Sequence, residues 1–346
     1  MLTNIFSENP TKVVSDIEAL GIPKYKAKQL LKWLYIHFES NPDAMTDLSK
    51  KMRDELVQLY SFSLPEIAET RTSVDRSSKY KLKLADGNFV EMVIIPAAKK
   101  NTLCISSQVG CARNCSFCAT AQMGLIRNLE ISEIVGQVVL AGKLVKPNRI
   151  TNIVFMGMGE PLDNIDNVLS ALEILQAEDG ISFSPRRTTI STCGIVPAII
   201  KLANSGIRTK LAVSLNSAIE TKRTELMPIN ETYPLEELKK ALIYFRKKTS
   251  FKVTFEYIMI PEVNMAWEDI NALKKYVSDL SCKINLIPWN PVSGIAWTAP
   301  RNSHIDMFLT NSQVINQTIT LRKSRGSDIL GACGQLAATQ SQKESL

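Results

Sequence analysis

The chain has 346 residues, 45% of them hydrophobic and 22% charged, with a formal net charge of +7. That length accommodates one large domain plus a smaller one, and no apolar run reaches membrane-spanning length. The opening MLTNIFSENPTKVV lacks the apolar stretch of a signal peptide, and an odd total of seven cysteines argues against a secreted disulfide framework. The expectation is a cytoplasmic protein with reduced thiols; the basic balance points only weakly to an anionic partner.

GIPKYKAKQLLKWLYIHF and DLSKKMRDELVQLYSF have the spacing of two basic amphipathic helices, with Pro42 and Asp43 between them. Lys24, Lys26, Lys28 and Lys32 beside Trp33 and Tyr35 could form a phosphate-binding face with an aromatic platform. On the helix alone, an ordinary solvated face with Trp33 in the core is the better reading. KYKLKLADGNFVEMVIIP then predicts a β-hairpin turning on Asp86–Gly87.

Beyond the hairpin, short apolar strands alternate with amphipathic stretches. LCISS precedes EISEIVGQVVLAGKLV, TNIVFMGMGEP precedes NVLSALEILQ, and RRTTISTCG precedes VPAIIKLANSG. TKLAVSLNS, FKVTFEYIMIP and KINLIPWNP each lead into a further helical pattern, and QTITLRKS reads as a closing strand. Such alternation predicts an α/β fold of parallel strands with crossover helices, and six units are too few for a full eightfold barrel. An incomplete (βα)6 barrel with a lateral opening is expected, its functional face at the strand ends where Gly, Ser, Glu and Asn collect. The expected division is a helical N-terminal domain with hairpin linker over 1–88, a core over 89–328, and a C-terminal loop with a polar tail over 329–346.

GCARNCSFCAT places Cys111, Cys115 and Cys118 in a C-x3-C-x2-C spacing, while Cys104, Cys193, Cys282 and Cys333 stand singly. Structural zinc normally takes four protein ligands, often as two knuckles, and there is no second knuckle here. A cubane iron–sulfur cluster ordinarily takes four cysteines; with three, one iron stays open to a small molecule. C-x3-C-x2-C is the hallmark of the radical S-adenosylmethionine (SAM) superfamily, in which SAM chelates that iron.

SSQVGCARNCSFCAT, FMGMGEPL, SPRRTTIST, LMPIN, LIPWNP and RKSRGSDILGACGQLA together resemble the RlmN family of dual-specificity RNA methyltransferases, over nearly the whole chain. The resemblance implies a radical SAM barrel with an RNA-binding N-terminal domain, a [4Fe-4S] cluster on Cys111, Cys115 and Cys118, and two SAM molecules per turnover. It implies methylation of carbon 2 of one adenine in 23S rRNA and one in tRNA. That carbon is electron-poor and does not attack a methyl sulfonium; the resemblance implies that one SAM methylates a cysteine and the second is cleaved to a radical that activates the methyl group. By the same resemblance Cys333 carries the methyl, Cys104 resolves the enzyme–RNA adduct, and Glu91 takes the proton from carbon 2. A structural position on the hairpin remains the alternative for Glu91, and a small buried residue the alternative for Cys104.

Gly157, Gly159 and Glu160 follow the second strand, where small residues would let the backbone approach SAM. Ser191, Ser214 and Asn290 match the family's SAM-binding positions. Leu215 and Asn216 complete a Ser-Leu-Asn run where the family usually has Ser-Leu-His, and Cys193 is a second departure. Arg322, Lys323 and Arg325 are expected to touch phosphate. Two rivals remain at this stage. One is the related Cfr methyltransferases of carbon 8, against which Pro161 after GMGE argues; the other is a non-catalytic iron–sulfur or zinc protein that binds RNA. Expected partners are the two RNAs and an electron donor such as flavodoxin with its reductase, with the protein acting as a monomer and away from membranes.

Overall fold

A computed structural model of the protein describes residues 2–98 and 100–337; the polar tail expected after Ala338 lies outside the described residues. Among the described residues no helix is long and apolar enough to cross a membrane.

The N-terminal unit begins with β1 (Thr3–Asn4), followed by helices α1 (Pro10–Ala19), α2 (Lys24–Tyr35) and α3 (Lys50–Leu59) and by β2 (Tyr60–Ser61), which pairs with β1 in parallel. Helices α2 and α3 are the two expected from the spacing, and α1 is additional. Its start was legible: the Asn9 side chain accepts from Thr11 N and Pro10 occupies the first turn. On α2 the structure is closer to the solvated face with Trp33 toward the core than to the aromatic platform weighed against it. Tyr35 is buried against Phe6 in a T-shaped contact at 6.2 Å, and Trp33 is half-buried with its indole N–H donating to Asp47. The exposed ring among the lysines is Tyr25, with Lys26 Nζ 5.5 Å from its centroid. Helix periodicity explains the difference, because Tyr35 falls on the apolar stripe with Leu31 and Leu34.

The central sheet takes ten strands. β3 (Glu66–Thr72), β4 (Ser78–Lys83) and β5 (Phe89–Ala97) run antiparallel to their neighbours, and β5 pairs antiparallel with β6 (Lys100–Cys104). The turn between β4 and β5 lies at Asp86–Gly87 as expected, with Gly87 at φ 84° and its N–H bonded to Leu84 O at 3.0 Å. Residues 66–83 therefore belong to the same sheet as the barrel strands. β3 escapes periodicity because it is an exposed, charged edge strand, EIAETRT, with no apolar face to alternate.

A ribbon of β7 (Gln108–Gly110) with β8 (Leu125–Asn128) brackets the cysteine loop and the short α4 (Ala119–Gln122). After α5 (Ile131–Leu144) come β9 (Asn152–Phe155), α6 (Ile165–Gln176), β10 (Thr188–Thr192), α7 (Val196–Asn204) and β11 (Lys210–Ser214). α8 (Glu220–Leu226), α9 (Ile229–Thr232) and α10 (Leu235–Thr249) lead to β12 (Val253–Met259). α11 (Pro261–Asn264) and α12 (Trp267–Val277) then precede β13 (Cys282–Pro288), and α13 (Asn302–Asn311) precedes β14 (Thr318–Leu321). Strands β6 and β9 to β14 pair in parallel in that order, and among the described residues the sheet does not close, since β14 and β3 are its two edges. This is the expected open (βα)6 barrel with a seventh strand completing it.

The N-terminal unit sits on the outside of α5 and α6. A side chain at Gly142 would strike the Phe38 ring at 2.5 Å, Asn9 Nδ2 donates to Glu173 at 3.1 Å, and Lys28 lies 3.7 Å from Asp179.

Candidate active site

The cysteine loop is shaped by one glycine. Gly110 has φ 76°, and a Cβ there would lie 1.8 Å from Gly124 O, so neither the conformation nor the space admits a side chain. The Cys111 N–H bonds to the same Gly124 O at 2.9 Å, and Ser116 N–H bonds to Leu226 O at 3.0 Å. The loop is thereby held across the C-terminal ends of the barrel strands. Cys111, Cys115 and Cys118 ring a cavity shared with Gly157, Gly159, Glu160, Ser191 and Ser214. Burial pushes the Cys111 thiol up to about 12 and raises Cys115 and Cys118 as well, with a neighbouring sulfur adding to the rise at each. Three crowded thiols, one buried and two half-buried, are poorly suited to carrying charge by themselves and well suited to a cationic metal group, which deprotonates its thiol ligands. Among the described residues no three His, Cys, Asp or Glu side chains converge on one point as ligands of a single ion do. Cubane thiolates bind separate irons around a shared space, and three thiols lining one cavity fit that donor set.

The residues expected around SAM divide into two groups. Gly159, Glu160, Ser191 and Ser214 line the cavity beside the cysteines. Glu160 is buried at 5% exposure, with Oε1 accepting from Leu162 N at 3.0 Å and Oε2 from Cys193 N at 2.7 Å; burial raises its pKa. Gly157 also lines the cavity, but its smallness serves packing: a Cβ would meet the Ile105 carbonyl at 2.6 Å. Leu215, Asn216 and Asn290 are not among the lining residues. Leu215 is wholly buried, its N–H on Glu256 O at 2.9 Å. Asn216, in the left-handed region at φ 57°, accepts from Ile258 N at 3.0 Å and donates to Met227 Sδ at 3.2 Å. Its side chain fastens β12 to the loop after β11. Asn290 donates to Cys333 O at 3.2 Å and so holds the C-terminal loop.

Several groups in or beside the cavity were given no role from the sequence. Arg113, inside the cysteine motif, makes a bidentate pair with Asp163 at 2.5 and 2.7 Å. Glu256, on β12, is buried and also lines the cavity, as does Cys193. Arg223 is fully buried, donating to Cys193 O at 2.8 Å and Asn230 Oδ1 at 2.8 Å. Spacing signals the Arg113 position, but a single Glu in a strand or an Arg in a short helix carries no signal until the chain folds.

Cys333 lies on the boundary of two spaces. It lines the cysteine-ringed cavity and also an adjoining chamber that contains Cys104, Met156 and Arg322. Burial pushes the Cys104 thiol up to about 12, with Cys333 adding to the rise and Arg322 opposing it. The loop bearing Cys333 is tied from both sides. Asp75 accepts from Arg325 Nε and from Gly326 N, both at 2.9 Å, and Ser73 donates to Asp328 at 2.6 Å. Ala119 N bonds to Gly334 O at 2.7 Å, and Thr120 Oγ1 to Leu336 O at 2.6 Å. Of the three basic residues expected to touch phosphate, Arg325 is held by Asp75 and Pro96 O, Arg322 faces the thiols and Glu256, and Lys323 lines the same chamber. Glu91 is buried in an ion pair with Lys79 at 3.0 Å, and its Oε2 accepts from Ala337 N at 3.1 Å. It lines neither space.

An open parallel barrel carrying three thiols over its strand ends is the architecture of a radical SAM enzyme. Residues 105–273 match the radical SAM superfamily, and residues 3–61 match the N-terminal domain of ribosomal RNA large subunit methyltransferases. The chain is 39% identical over 342 residues to a probable dual-specificity RNA methyltransferase RlmN of Dictyoglomus turgidum, covering 97% of each. It is 43% identical to the dual-specificity RNA methyltransferase RlmN of Desulfosudis oleivorans, over 93% of this chain and 87% of the relative. Its fold superposes on the crystal structure of a radical SAM methyltransferase from Sphaerobacter thermophilus with TM-score 0.93 and 36% identity, covering 97% of this chain and all of that one. The chain belongs to the RlmN family, and its cofactors are a [4Fe-4S] cluster and SAM.

Proposed function

We propose that this protein methylates carbon 2 of adenine 2503 in 23S rRNA and of adenine 37 in tRNA, through a methylated Cys333. The observation that carries this reading is the position of Cys333 on the wall between the cluster cavity and the Cys104 chamber. A cysteine so placed can receive a methyl group on one side and meet a resolving thiol on the other. When bound, the cluster supplies an electron for cleaving SAM, and SAM supplies both the methyl group and the radical.

The chain's own residues then have separable roles. Cys111, Cys115 and Cys118 hold the cluster, and Gly159, Glu160, Ser191 and Ser214 surround SAM. Asn290 orients Cys333 through its carbonyl rather than touching SAM. Cys104 attacks the sulfur of Cys333 in the adduct, a step that needs a thiolate with access to that sulfur. Glu91 accepts the proton of carbon 2, and to do so the segment at Ala337 has to leave its carboxylate. The N-terminal unit of residues 3–61, with Lys24, Lys26, Lys28 and the exposed Tyr25, contributes phosphate and stacking contacts to RNA. Mass spectrometry of RNA adenines after anaerobic turnover with SAM tests the activity; methylation at carbon 8, or none, would overturn it.

Replacing any of Cys111, Cys115 or Cys118 with Ala is expected to abolish the iron chromophore and SAM cleavage. Iron and zinc analysis after anaerobic preparation reads this directly, and stoichiometric zinc without iron would contradict the assignment. Changing Lys24, Lys26 and Lys28 together to Glu is expected to weaken RNA binding and flatten its salt dependence, because fewer counterions are released. SAM cleavage without RNA should be unaffected. Affinity measured across a salt series checks this.

A further inference from the structure

The Cys104 chamber contains a cation that the family assignment leaves without a role. Arg322 follows β14 and lines the chamber with both Cys104 and Cys333. Its Nη1 lies 3.3 Å from Met156 Sδ and 3.5 Å from Glu256 Oε2, and its N–H bonds to Leu286 O at 2.8 Å. This last bond fixes the backbone, so the guanidinium enters the chamber from an anchored strand end. We propose that Arg322, which shares the chamber with both sulfurs, is the positioning residue whose charge eases ionisation of Cys104 as it attacks to release the methylated RNA. This rests on the resolving role given to Cys104 above.

The physical need is plain. Cys104 is 7% exposed at the end of β6, and burial disfavours its thiolate, with the thiol pushed up to about 12. The charged groups facing it are few. Cys333 opposes ionisation, and Arg322 favours it. Lys323 and Arg325 line the same chamber, but Arg325 is held by Asp75. Glu91, on neighbouring β5, is paired with Lys79. The Arg322 charge is itself supported first by the Cys333 sulfur, then by Glu256 and Cys104. In the adduct Cys333 is a thioether and carries no charge. The guanidinium then acts on Cys104 without that competitor.

The step balances with what the site holds. The Cys104 thiolate attacks the Cys333 sulfur, and an S–S bond forms as the bond from that sulfur to the transferred carbon breaks. The released electron pair goes to that carbon, which takes up a proton, and both sulfurs end oxidised in a disulfide. An opposite charge at close range lowers a pKa by about 1–3 units. Because a more basic thiolate is also the better nucleophile, losing that charge slows release by roughly 3- to 50-fold.

The test compares Arg322→Lys, which keeps a charge, with Arg322→Gln, which keeps a polar group and loses the charge. Anaerobic single turnovers are resolved by denaturing electrophoresis to follow decay of the RNA–protein adduct, with RNA affinity measured alongside over a salt series. The expected result is adduct accumulation and slow decay in Arg322→Gln, near-normal decay in Arg322→Lys, and unchanged affinity and salt slope in both. Equal decay in Arg322→Gln and wild type overturns the proposal. So does equally slow decay in both variants, which would mean that the fork geometry matters and the charge does not. A loss of affinity and salt slope with normal decay would return Arg322 to a phosphate contact. A Cys104→Ala control run in parallel separates the two levels: if it releases RNA, the resolving role itself fails.

Discussion

Cys104→Ala is expected to carry out every step up to the adduct and then stop, leaving RNA joined covalently to Cys333. The trapped species should survive denaturing electrophoresis and resist reductants, because the bridge is a thioether and no disulfide has formed. Cys333→Ala should form neither product nor adduct, and the double variant should match it. The two thiols share a chamber, so composition cannot separate them; what does is that Cys333 also borders the cluster cavity. If Cys104 is only a small buried residue, its removal costs modest stability and methylated adenine is still released. Turnover by Cys104→Ala without trapping would therefore refute the resolving role and leave the cluster assignment intact.

The second large effect concerns the buried pair of Lys79 and Glu91, whose side chains are 8% and 5% exposed. Lys79→Met leaves the Glu91 carboxylate buried and without its cation, and removing one partner of such a pair costs about 3–5 kcal/mol. Lys79 also donates to Leu330 O at 3.2 Å, so the same change loosens the segment that leads to Cys333. Denaturant unfolding should show a lower midpoint with an unchanged slope. Adding Glu91→Gln should restore much of the stability, since no uncompensated charge remains. The double variant should still fail to turn over, because a neutral amide takes no proton from carbon 2. Recovery of activity with stability would mean that Glu91 is a structural residue of the hairpin and not the base.

Much of this protein was legible in its sequence, for identifiable reasons. The open barrel follows from strand and helix periods alternating six times, because each crossover helix must bury one face on a parallel sheet. The grouping of Cys111, Cys115 and Cys118 at one cavity follows from three thiols within one loop, where spacing alone fixes proximity. Gly87 occupies the hairpin turn its residue type predicts, with a positive φ that favours glycine. The edge strand β3 was not legible, because an exposed charged strand has no apolar period to display.

What only the tertiary structure decided is which distant residues meet. Lys79, Asp75 and Glu91 tie down the loop that carries Cys333, though some 250 positions separate the partners. Asn216 lies in the run expected to contact SAM, and its amide is instead spent on Ile258 and Met227. Arg322 belongs to a basic cluster that reads as phosphate-binding, and folding turns it toward two thiols. In each case the sequence determined the chemical type of the side chain. Its role came from its direction and its partners, and buried polar groups take those from strands brought together only when the sheet forms.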